Sequence, residues 1–349
     1  MSAPEKFPTD PSVFPMVTIV MPVRNERAYI SQSLNATLNQ DYPADRIEII
    51  VVDGMSTDGT SEFVRSLQAA HPNIRLIDNP RGIAPTALNL AIDASRGAII
   101  VRVDGHCEIA REHVSGCVRL LNDPDVDGVG GPLETIGATP VARVIAVAMS
   151  SRFGVGGSAF RTIRDRTMLT DTVAFPAYKR TAIERTGRFD EDLVRNQDDE
   201  YNYRLRKRGG KILLSADIPV RYWSRGSIRS LWKQYFQYGF FKVRVLQKHP
   251  RQMRTRQFVP PLFASALIAA AVAALSFEAG RWCLAGVTGA YVVANLAFSA
   301  LEARRLEPGL LPFLPIAFAT MHLAYGFGFL SGLFRFWDRW GEIDGTPRA

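Results

Sequence analysis

Short apolar runs alternate with helical patterns over the first part of the chain. Four runs have the length and the β-branched composition of buried strands, namely residues 17–23, 47–53, 74–79 and 98–104. The segments between them space their apolar side chains as helices do, namely residues 29–39, 61–70 and 85–94. This alternation predicts an α/β fold with a mainly parallel sheet and helices on both faces, because parallel strands are joined through crossover helices.

The pattern changes in the last part of the chain, where three apolar stretches carry no charged side chain. They are residues 257–277, 282–301 and 308–334. Each is long enough to cross a hydrocarbon core of about 30 Å as a helix, so the sequence predicts about three transmembrane helices. The alternative interpretation is a helical hairpin buried in a globular core. The first stretch opens with Pro260-Pro261, which leaves a partly re-entrant segment as a second alternative.

Positive charge is concentrated just before these stretches. The chain has 42 Lys and Arg against 34 Asp and Glu, a net charge of +8. The cations that precede the first stretch are Arg225, Arg229, Lys233, Lys242, Arg244, Lys248, Arg251, Arg254 and Arg256. The positive-inside rule then predicts a multi-pass protein of the cell inner membrane with the preceding domain in the cytoplasm. Membrane lipids are the expected partner, and no nucleic acid is expected, because the sequence has no zinc-finger, helix-turn-helix or aromatic RNA-binding pattern.

These patterns divide the chain into five parts. They are a polar N-terminal tail (1–15), a cytoplasmic catalytic domain (16–224), a basic amphipathic segment (225–256), the membrane region (257–334) and a C-terminal tail (335–349). The basic segment repeats apolar residues at helical spacing, which is typical of a helix in the membrane interface or, equally, of one packed on the catalytic domain. The scattered cysteines Cys107, Cys117 and Cys283 indicate neither a disulfide framework nor a zinc knuckle.

Polar residues follow three of the predicted strands at their carboxyl ends, where ligands bind in sheets of this type. They are Arg24-Asn25-Glu26, Asp53-Gly54 and Asp104-Gly105-His106. The Asp104 carboxylate and the His106 imidazole are suited to hold a divalent cation against a diphosphate, and an ordinary Asp-Gly turn is the alternative. Asp53 is placed either to accept a hydrogen bond from a base or to close an Asx turn. The first strand is not followed by Gly-x-Gly-x-x-Gly, which argues against a dinucleotide-binding domain.

A second group of carboxylates stands at the start of a predicted helix. The segment Gln197-Asp198-Asp199-Glu200 is followed by a basic last turn and ends at Gly209. Acidic residues at a helix start and cations at its end complement the helix dipole. Three adjacent acids exceed what capping requires, so one of them is a candidate general base.

In this order the motifs resemble those of family 2 glycosyltransferases with the GT-A fold, over residues 17–239. The resemblance rests on an ordered set: Val20-Met21-Pro22-Val23-Arg24-Asn25-Glu26, Val51-Val52-Asp53-Gly54-Met55-Ser56-Thr57-Asp58-Gly59-Thr60, the helix entry at 82–89, the strand end at Asp104, Phe189-Asp190-Glu191 and Gln197-Asp198-Asp199-Glu200. Within the family, Arg102-Val103-Asp104-Gly105-His106-Cys107 and Asp171-Thr172-Val173-Ala174-Phe175-Pro176 are similar to the succinoglycan-type glucosyltransferases, which extend a lipid-diphosphate-linked sugar.

The resemblance implies roles for the residues that match. The residues expected to bind the nucleotide sugar are Pro22, Arg24, Glu26, Asp53 and Asp104. Asp104 and His106 would form the metal pair for a divalent cation, Mn²⁺ or Mg²⁺. Histidine stands at position 106 where the general family has aspartate, and imidazole is an acceptable ligand for manganese.

The resemblance also assigns the base and the acceptor side. The family's catalytic base lies six residues before an arginine, and counting back from Arg204 places it at Asp198, with Gln197 where glutamate is usual. The segment 234–238 stands where processive synthases have Gln-x-x-Arg-Trp, and it lacks the arginine and the tryptophan, which argues against a long-chain polymer synthase. The candidate contacts to the acceptor or its lipid diphosphate are Gln234, Tyr238, Arg229 and Lys233.

The function implied is an inverting transfer of a sugar, from UDP-glucose, onto a polyprenyl-diphosphate-linked saccharide in exopolysaccharide or related glycan assembly. One alternative is a polyprenyl-phosphate sugar synthase that uses the bare lipid phosphate. Another is a membrane module that binds a nucleotide sugar without turnover. A transporter is disfavoured, because His322 is the only titrating group in the three apolar stretches apart from tyrosine and cysteine.

Overall fold

The computed structural model of the chain describes residues 14–340. The predicted N-terminal tail, except its last two residues, and the predicted C-terminal tail beyond residue 340 lie outside the described residues. The strands are β1 (Val17–Val23), β2 (Ile47–Asp53), β3 (Ile74–Asp78), β4 (Ile99–Arg102), β5 (Cys107–Ile109), β6 (Gly128–Gly130), β7 (Leu133–Ile136), β8 (Met168–Leu169), β9 (Ala177–Lys179), β10 (Ile212–Leu214) and β11 (Val220–Trp223).

Helices connect these strands and make up the last part of the chain. The α-helices are α1 (Ile30–Leu38), α2 (Thr60–Gln68), α3 (Ala84–Ala94), α4 (His113–Leu121), α5 (Pro140–Ser150), α6 (Arg152–Val155), α7 (Ala159–Thr162), α8 (Arg180–Thr186), α9 (Gln197–Lys207), α10 (Ile228–Lys248), α11 (Val259–Ser276), α12 (Glu278–Leu301) and α13 (Leu314–Arg335). Short 3₁₀ turns lie at Ala44–Arg46, Pro250–Gln252, Thr255–Gln257, Ala303–Arg305 and Pro308–Phe313.

The chain forms two compact units that are not contiguous in sequence. The first comprises the described residues up to Pro132 together with Asp165–Glu191 and Tyr201–Val220. The second comprises Leu133–Arg164, Asp192–Glu200 and the described residues from Arg221 onward. The boundary passes through α9, so the first turn of this helix belongs to the second unit.

A mixed sheet forms the core of the first unit, in the order β3-β2-β1-β4-β9-β6-β10-β8. The pairs β3–β2, β2–β1 and β1–β4 are parallel, whereas β9 is antiparallel to both β4 and β6. Every residue of β2 is buried, as expected for a strand that is covered on both faces. The predicted α/β fold with a mainly parallel sheet is therefore confirmed.

The strand before Asp104 is shorter than predicted. β4 ends at Arg102, and the chain turns immediately afterwards, with the Cys107 N–H donating to the carbonyl oxygen of Asp104 at 3.0 Å. The Val103 N–H still donates to the carbonyl oxygen of Val20 on β1, at 3.0 Å. Asp104 is thus held at the carboxyl edge of the sheet, in the position that the sequence predicted for it.

Three helices of the second unit are long and apolar enough to cross a membrane, and they coincide with the three predicted stretches. Pro260 and Pro261 lie in the first turn of α11, where proline is accepted, and the helix continues to Ser276. α12 begins at Glu278, four residues earlier than predicted. The predicted stretch began after Arg281 because it excluded charged residues, whereas Arg281 lies in the first turn of the helix. Large apolar side chains on α11 and α12 are exposed, Leu275 by 83% and Val293 by 69%, as expected for helix faces that meet lipid.

Glycines allow α10 to approach α13 closely. A Cβ atom added to Gly239 of α10 would lie 2.0 Å from the carbonyl oxygen of Tyr325 on α13. A Cβ atom on Gly328 of α13 would lie 2.1 Å from the carbonyl oxygen of Phe236 on α10. The two backbones therefore pack at a distance that only glycine permits, as in many membrane helix pairs.

The first prediction concerns this contact. The variant Gly328→Ala should lower the free energy of unfolding by about 1–3 kcal/mol, because the new methyl group overpacks the contact with Phe236. The matched control is Gly286→Ala on α12, where an added Cβ meets no atom within 4 Å. Thermal unfolding in detergent measures both, and equal midpoints for the two variants would contradict a close α10–α13 contact.

Candidate active site

Arg24 lies between two glycine loops of the first unit. Its Nη1 atom donates to the carbonyl oxygen of Gly82 at 2.9 Å. A Cβ atom on Gly54 would lie 3.3 Å from the Arg24 side chain, and one on Gly82 would lie 2.7 Å from Arg24 Nη1. Gly82 has a φ of +62°, in the left-handed region that favours glycine. The loops after β1 and β2 and before α3 are thus packed around one exposed guanidinium group.

Asp53 is a buried carboxylate that organises the loop after β2. It is 2% exposed, and it accepts from the Ser56 N–H at 2.9 Å, from the Ser56 hydroxyl and from the Ser61 hydroxyl at 2.7 Å. The Asp53 carboxylate thus bonds to the backbone of its own loop three residues on, rather than two residues on as in an Asx turn. Through this bond, Asp53 fixes the backbone of the loop that leads into α2.

The loop after β1 is fastened to the loop after β2. The Asn25 N–H donates to Ser56 Oγ at 2.8 Å, and the Thr57 N–H donates to Asn25 Oδ1 at 2.9 Å. The Glu26 N–H donates to Thr60 Oγ1 at 3.0 Å. These bonds hold the two loops as one surface at the carboxyl edge of the sheet, with Pro22 on β1 in register with Val52 on β2.

Asp104 and His106 each have a partner that orients them. Arg102 donates from Nε to Asp104 Oδ1 at 2.8 Å and from Nη2 to Asp104 Oδ2 at 3.1 Å. His106 Nδ1 lies 2.8 Å from Glu26 Oε1. A histidine held at Nδ1 by a carboxylate presents Nε2, which is the arrangement that second-shell carboxylates give to metal-binding histidines.

The donor set fits a divalent cation that a diphosphate also ligates. Asp104 offers a carboxylate and His106 offers Nε2, which are hard and intermediate ligands suited to manganese. Among residues 14–340, no three His, Cys, Asp or Glu side chains come together as a metal site. A cation held here would therefore depend on phosphate oxygens or water for its remaining ligands.

A buried asparagine ties α3 to the segment after α8. Asn89 is 2% exposed, and its Nδ2 donates to the Phe189 carbonyl oxygen at 3.0 Å and to Glu191 Oε1 at 2.8 Å. The Phe189 N–H donates in return to Asn89 Oδ1 at 2.9 Å. Arg81 adds an ion pair to Glu191. This network gives the Phe189-Asp190-Glu191 motif a structural purpose in the first unit.

The acidic turn that contains Asp198 packs against α10 in the second unit. Lys242 Nζ donates to Asp199 Oδ2, and His249 Nε2 lies 2.9 Å from Glu200 Oε1. Asn196 Nδ2 donates to the Tyr238 carbonyl oxygen at 3.0 Å. Burial alone would raise the pKa of Asp199, but the charge and hydrogen bond of Lys242, together with Gln252 and Arg256, outweigh burial, and the pKa lies below its usual value.

The acceptor-side candidates on α10 fall into two groups. Gln234 is buried, and its Nε2 donates to the Tyr238 hydroxyl at 2.9 Å. Arg229 and Lys233 are exposed and lie on a different face of the helix from Gln234. The structure therefore brings Gln234 and Tyr238 together and leaves the two cations at the surface.

Several residues of these networks were not found from the sequence. Arg102 had a usable signal, because a lone arginine in an apolar strand shares a face with the residue two positions later, here Asp104. Asn89 had a weaker one, as a polar residue on the apolar face of α3. Lys242 had no signal in the sequence. A lysine in a segment with nine cations is expected at the surface, and its partner Asp199 is far away in sequence.

The fold and the loops at the carboxyl edge of the sheet define a GT-A nucleotide-sugar transferase fold. The mannosyltransferase PcManGT from Pyrobaculum calidifontis, solved in complex with GDP-Man and Mn²⁺, superimposes with a TM-score of 0.59 at 23% identity over 93% of this chain and 89% of that one. At this identity the likeness establishes the fold alone.

Sequence comparison then gives the family. Residues 18–187 match glycosyl transferase family 2. The succinoglycan biosynthesis protein ExoA of Rhizobium meliloti is 29% identical over 331 residues, which cover 91% of this chain and 95% of the relative. The dolichyl N-acetyl-alpha-D-glucosaminyl phosphate 3-beta-D-2,3-diacetamido-2,3-dideoxy-beta-D-glucuronosyltransferase of Methanococcus voltae is 29% identical over 66% of this chain and 74% of that protein. The chain thus carries a family 2 glycosyl transferase domain, as its motifs predicted, and is a glycosyltransferase.

The second prediction concerns the ion pair beside Asp198. The Lys242 side chain is 3% exposed and that of Asp199 is 27% exposed. Asp199→Asn leaves a buried ammonium without its counter-charge and should cost about 3–5 kcal/mol of unfolding free energy. Lys242→Met should cost less, because water still reaches the Asp199 carboxylate. Thermal unfolding of both variants and of the double variant measures this, and a larger loss for Lys242→Met would contradict the assignment.

Proposed function

We propose that this chain is an inverting glycosyltransferase that moves glucose from UDP-glucose onto a polyprenyl-diphosphate-linked saccharide in exopolysaccharide or related glycan assembly. The reaction takes place at the cytoplasmic face of the cell inner membrane. Similarity to a succinoglycan biosynthesis protein over nearly the whole of both chains supports the pathway class. The second relative acts, by its name, on a dolichyl-linked N-acetylglucosaminyl phosphate, which supports a lipid-linked acceptor that already carries a sugar.

One structural observation supports the proposal that the acceptor is linked to a lipid. The turn that contains Asp198 is bonded to α10 through Asn196 and Lys242, and α10 packs through glycines on α13, a candidate membrane helix. The proposed base therefore belongs to the same compact unit as the apolar helices. A base carried in this way suits an acceptor whose hydroxyl arrives attached to a lipid.

Asp198 acts as the general base in this proposal. It removes the proton from the acceptor hydroxyl as that oxygen attacks the anomeric carbon, a contribution of about a hundred-fold or more. The neighbouring carboxylates of Asp199 and Glu200 pair with Lys242 and His249 respectively. Attack from the side opposite the departing diphosphate inverts the anomeric configuration.

The first unit holds the donor. Pro22, Arg24, Glu26 and Asp53 contribute to the surface for the uridine, with Arg24 as the exposed cation and Asp53 shaping the loop beside it. Asp104 and His106 hold a divalent cation, Mn²⁺ or Mg²⁺, which when bound offsets the charge that develops on the leaving diphosphate. Glu26 then keeps the His106 ring in the orientation that presents Nε2.

The third prediction tests the base and the reaction together. Asp198→Asn should lower the turnover number at least a hundred-fold and leave UDP-glucose binding unchanged, because the amide cannot accept the proton. Asp41→Asn, an exposed aspartate of the first unit, is the control and should keep normal turnover. Turnover by UDP release and donor binding by calorimetry measure both. Near-normal turnover of Asp198→Asn would sink the base assignment.

The acceptor class is read from the product of the same assay. Membrane-embedded enzyme is given a donor panel and extracted polyprenyl-linked sugars, and the lipid product is analysed by mass spectrometry after mild-acid release. A released disaccharide is expected. A monosaccharide on bare lipid phosphate would indicate a polyprenyl-phosphate sugar synthase, and UDP-sugar binding without transfer to any acceptor would indicate a non-catalytic binding module.

The fourth prediction concerns the cation. EDTA should abolish activity, and Mn²⁺ should restore it. His106→Ala should raise the Mn²⁺ concentration needed for half-maximal activity by about ten-fold or more, because one ligand is lost. His106→Asp should retain cation-dependent activity and shift the preference toward Mg²⁺, since carboxylate oxygen is the harder ligand. Metal titrations of the three proteins measure this, and unchanged titrations would remove His106 from the metal site.

A further inference from the structure

A cluster of tyrosines surrounds Gln234 in the second unit. Gln234 is 6% exposed, Tyr222 of β11 is 5% exposed and Tyr235 is 7% exposed. Gln234 Nε2 lies 2.9 Å from the Tyr238 hydroxyl and 3.4 Å from the Tyr222 hydroxyl. The rings of Tyr235 and Tyr238 meet edge to face, with centroids 5.5 Å apart. One amide group and three aromatic rings therefore line a single polar region on α10 and β11.

Two buried polar atoms of this region have no hydrogen-bond partner within the described residues. They are Gln234 Oε1, an acceptor, and Arg161 Nη1, a donor on α7. Buried polar groups are nearly always satisfied in folded proteins, so each such atom calls for an explanation. A ligand that both accepts and donates hydrogen bonds would satisfy both atoms.

Arg161 faces the same tyrosines. Burial raises the pKa of Tyr222 to about 12, and Tyr238 adds to this rise, whereas the positive charges of Arg225 and Arg161 oppose it. Burial also raises the pKa of Tyr235, again with the Arg161 charge opposing. The charge of Arg161 thus acts on two rings of the cluster, which puts this side chain in the same region of the second unit.

The chemistry of these groups fits a sugar better than a phosphate. A phosphate oxygen accepts hydrogen bonds and has nothing to donate to Gln234 Oε1, whereas a sugar hydroxyl does both. If the amide is turned by 180°, its other end is left without a partner, and a hydroxyl serves that end equally well. The tyrosine rings add apolar faces on which the C–H side of a pyranose can lie.

We propose that Arg161, Tyr222, Gln234 and Tyr238 form a saccharide subsite that binds the hydroxyl groups of the acceptor's sugar. The proposal rests on the proposed function, and it names the group that the acceptor must carry. Tyr238 also connects the subsite to the proposed base, because its carbonyl oxygen accepts from Asn196, two residues before Asp198. A sugar held by Gln234 and Tyr238 would thereby be bound in the same unit as Asp198.

The kinetic experiment separates the sugar from the lipid phosphate. The acceptors are polyprenyl diphosphates that carry one hexose, from a panel of glucose, galactose and N-acetylglucosamine, and bare polyprenyl phosphate. Arg161→Met and Gln234→Leu should each raise the KM for the sugar-bearing acceptor by about ten-fold or more, while UDP-glucose binding stays unchanged. Arg164→Met, an exposed arginine three residues from Arg161, is the matched control and should keep the normal KM. Tyr238→Phe removes one hydroxyl from a partly exposed ring and should show the same trend, so it remains informative if a larger change prevents folding.

A binding experiment keeps this test independent of turnover. Saturation-transfer NMR with methyl glycosides of the same three sugars should detect binding to the detergent-solubilised chain and lose it in Arg161→Met. If sugar transfer occurs but neither KM nor glycoside binding changes in the variants, the subsite is wrong and the function stands. If glycosides bind and the variants abolish this, the subsite stands even where no transfer is seen. If inorganic phosphate binds in the region and glycosides do not, it is an anion site and the proposal is overturned.

Discussion

The second unit depends on a neutralising contact between the acidic segment Asp192–Glu200 and the cations of α10. Lys242 is 2% exposed and Arg244 is 1% exposed, and burying such groups without counter-charges is strongly unfavourable. Lys242 pairs with Asp199, whereas Arg244 and Lys248 pair with Asp192. Burial opposes ionisation of both aspartates, but the cations lower their pKa values, so the contact persists at neutral pH and weakens only as the pH falls below the ordinary carboxyl range.

This contact changes the interpretation of the basic segment. From the sequence, its nine cations form one group next to the membrane region. In the structure, Arg229 and Lys233 are exposed, whereas Lys242 and Arg244 lie inside the second unit. Of these four cations, the exposed pair is the one that lipid headgroups could reach. The helix that carries them packs on α13 through its Gly239 face, a contact that neither interpretation of the sequence predicted.

The predictability of the fold follows the range of the interactions involved. The strands β1 and β2 have the predicted bounds, because a run of β-branched residues between turn signals is a local pattern. The start of α12 was misplaced, because Glu278 and Arg281 were excluded from an apolar stretch although charged residues are common in a first helical turn. The Gly239 and Gly328 contacts were not predicted, since a glycine in a helix reveals its purpose only when the partner helix is known.

In the candidate site, too, local patterns were predicted and long-range contacts were not. Arg24, Asp104 and His106 were predicted because they follow strands, and ligands bind beyond the carboxyl ends of parallel strands. Lys242 and Arg161 were missed, because each acts through a residue far away in sequence. Their roles, and those of Asp198 and the nucleotide-binding residues, stay predictions for the experiments above.

The bounds of the family match agree with a donor site in the first unit and an acceptor site in the second, as proposed. The match ends at residue 187, before the acidic segment and α10, and it contains all six residues proposed for the nucleotide and the cation. The succinoglycan relative matches over 91% of the chain, so the similarity extends beyond the family match. A shared donor chemistry requires the same nucleotide surface in every member, whereas each acceptor requires its own. Acceptor choice is accordingly to be sought in the second unit, where the saccharide subsite is proposed.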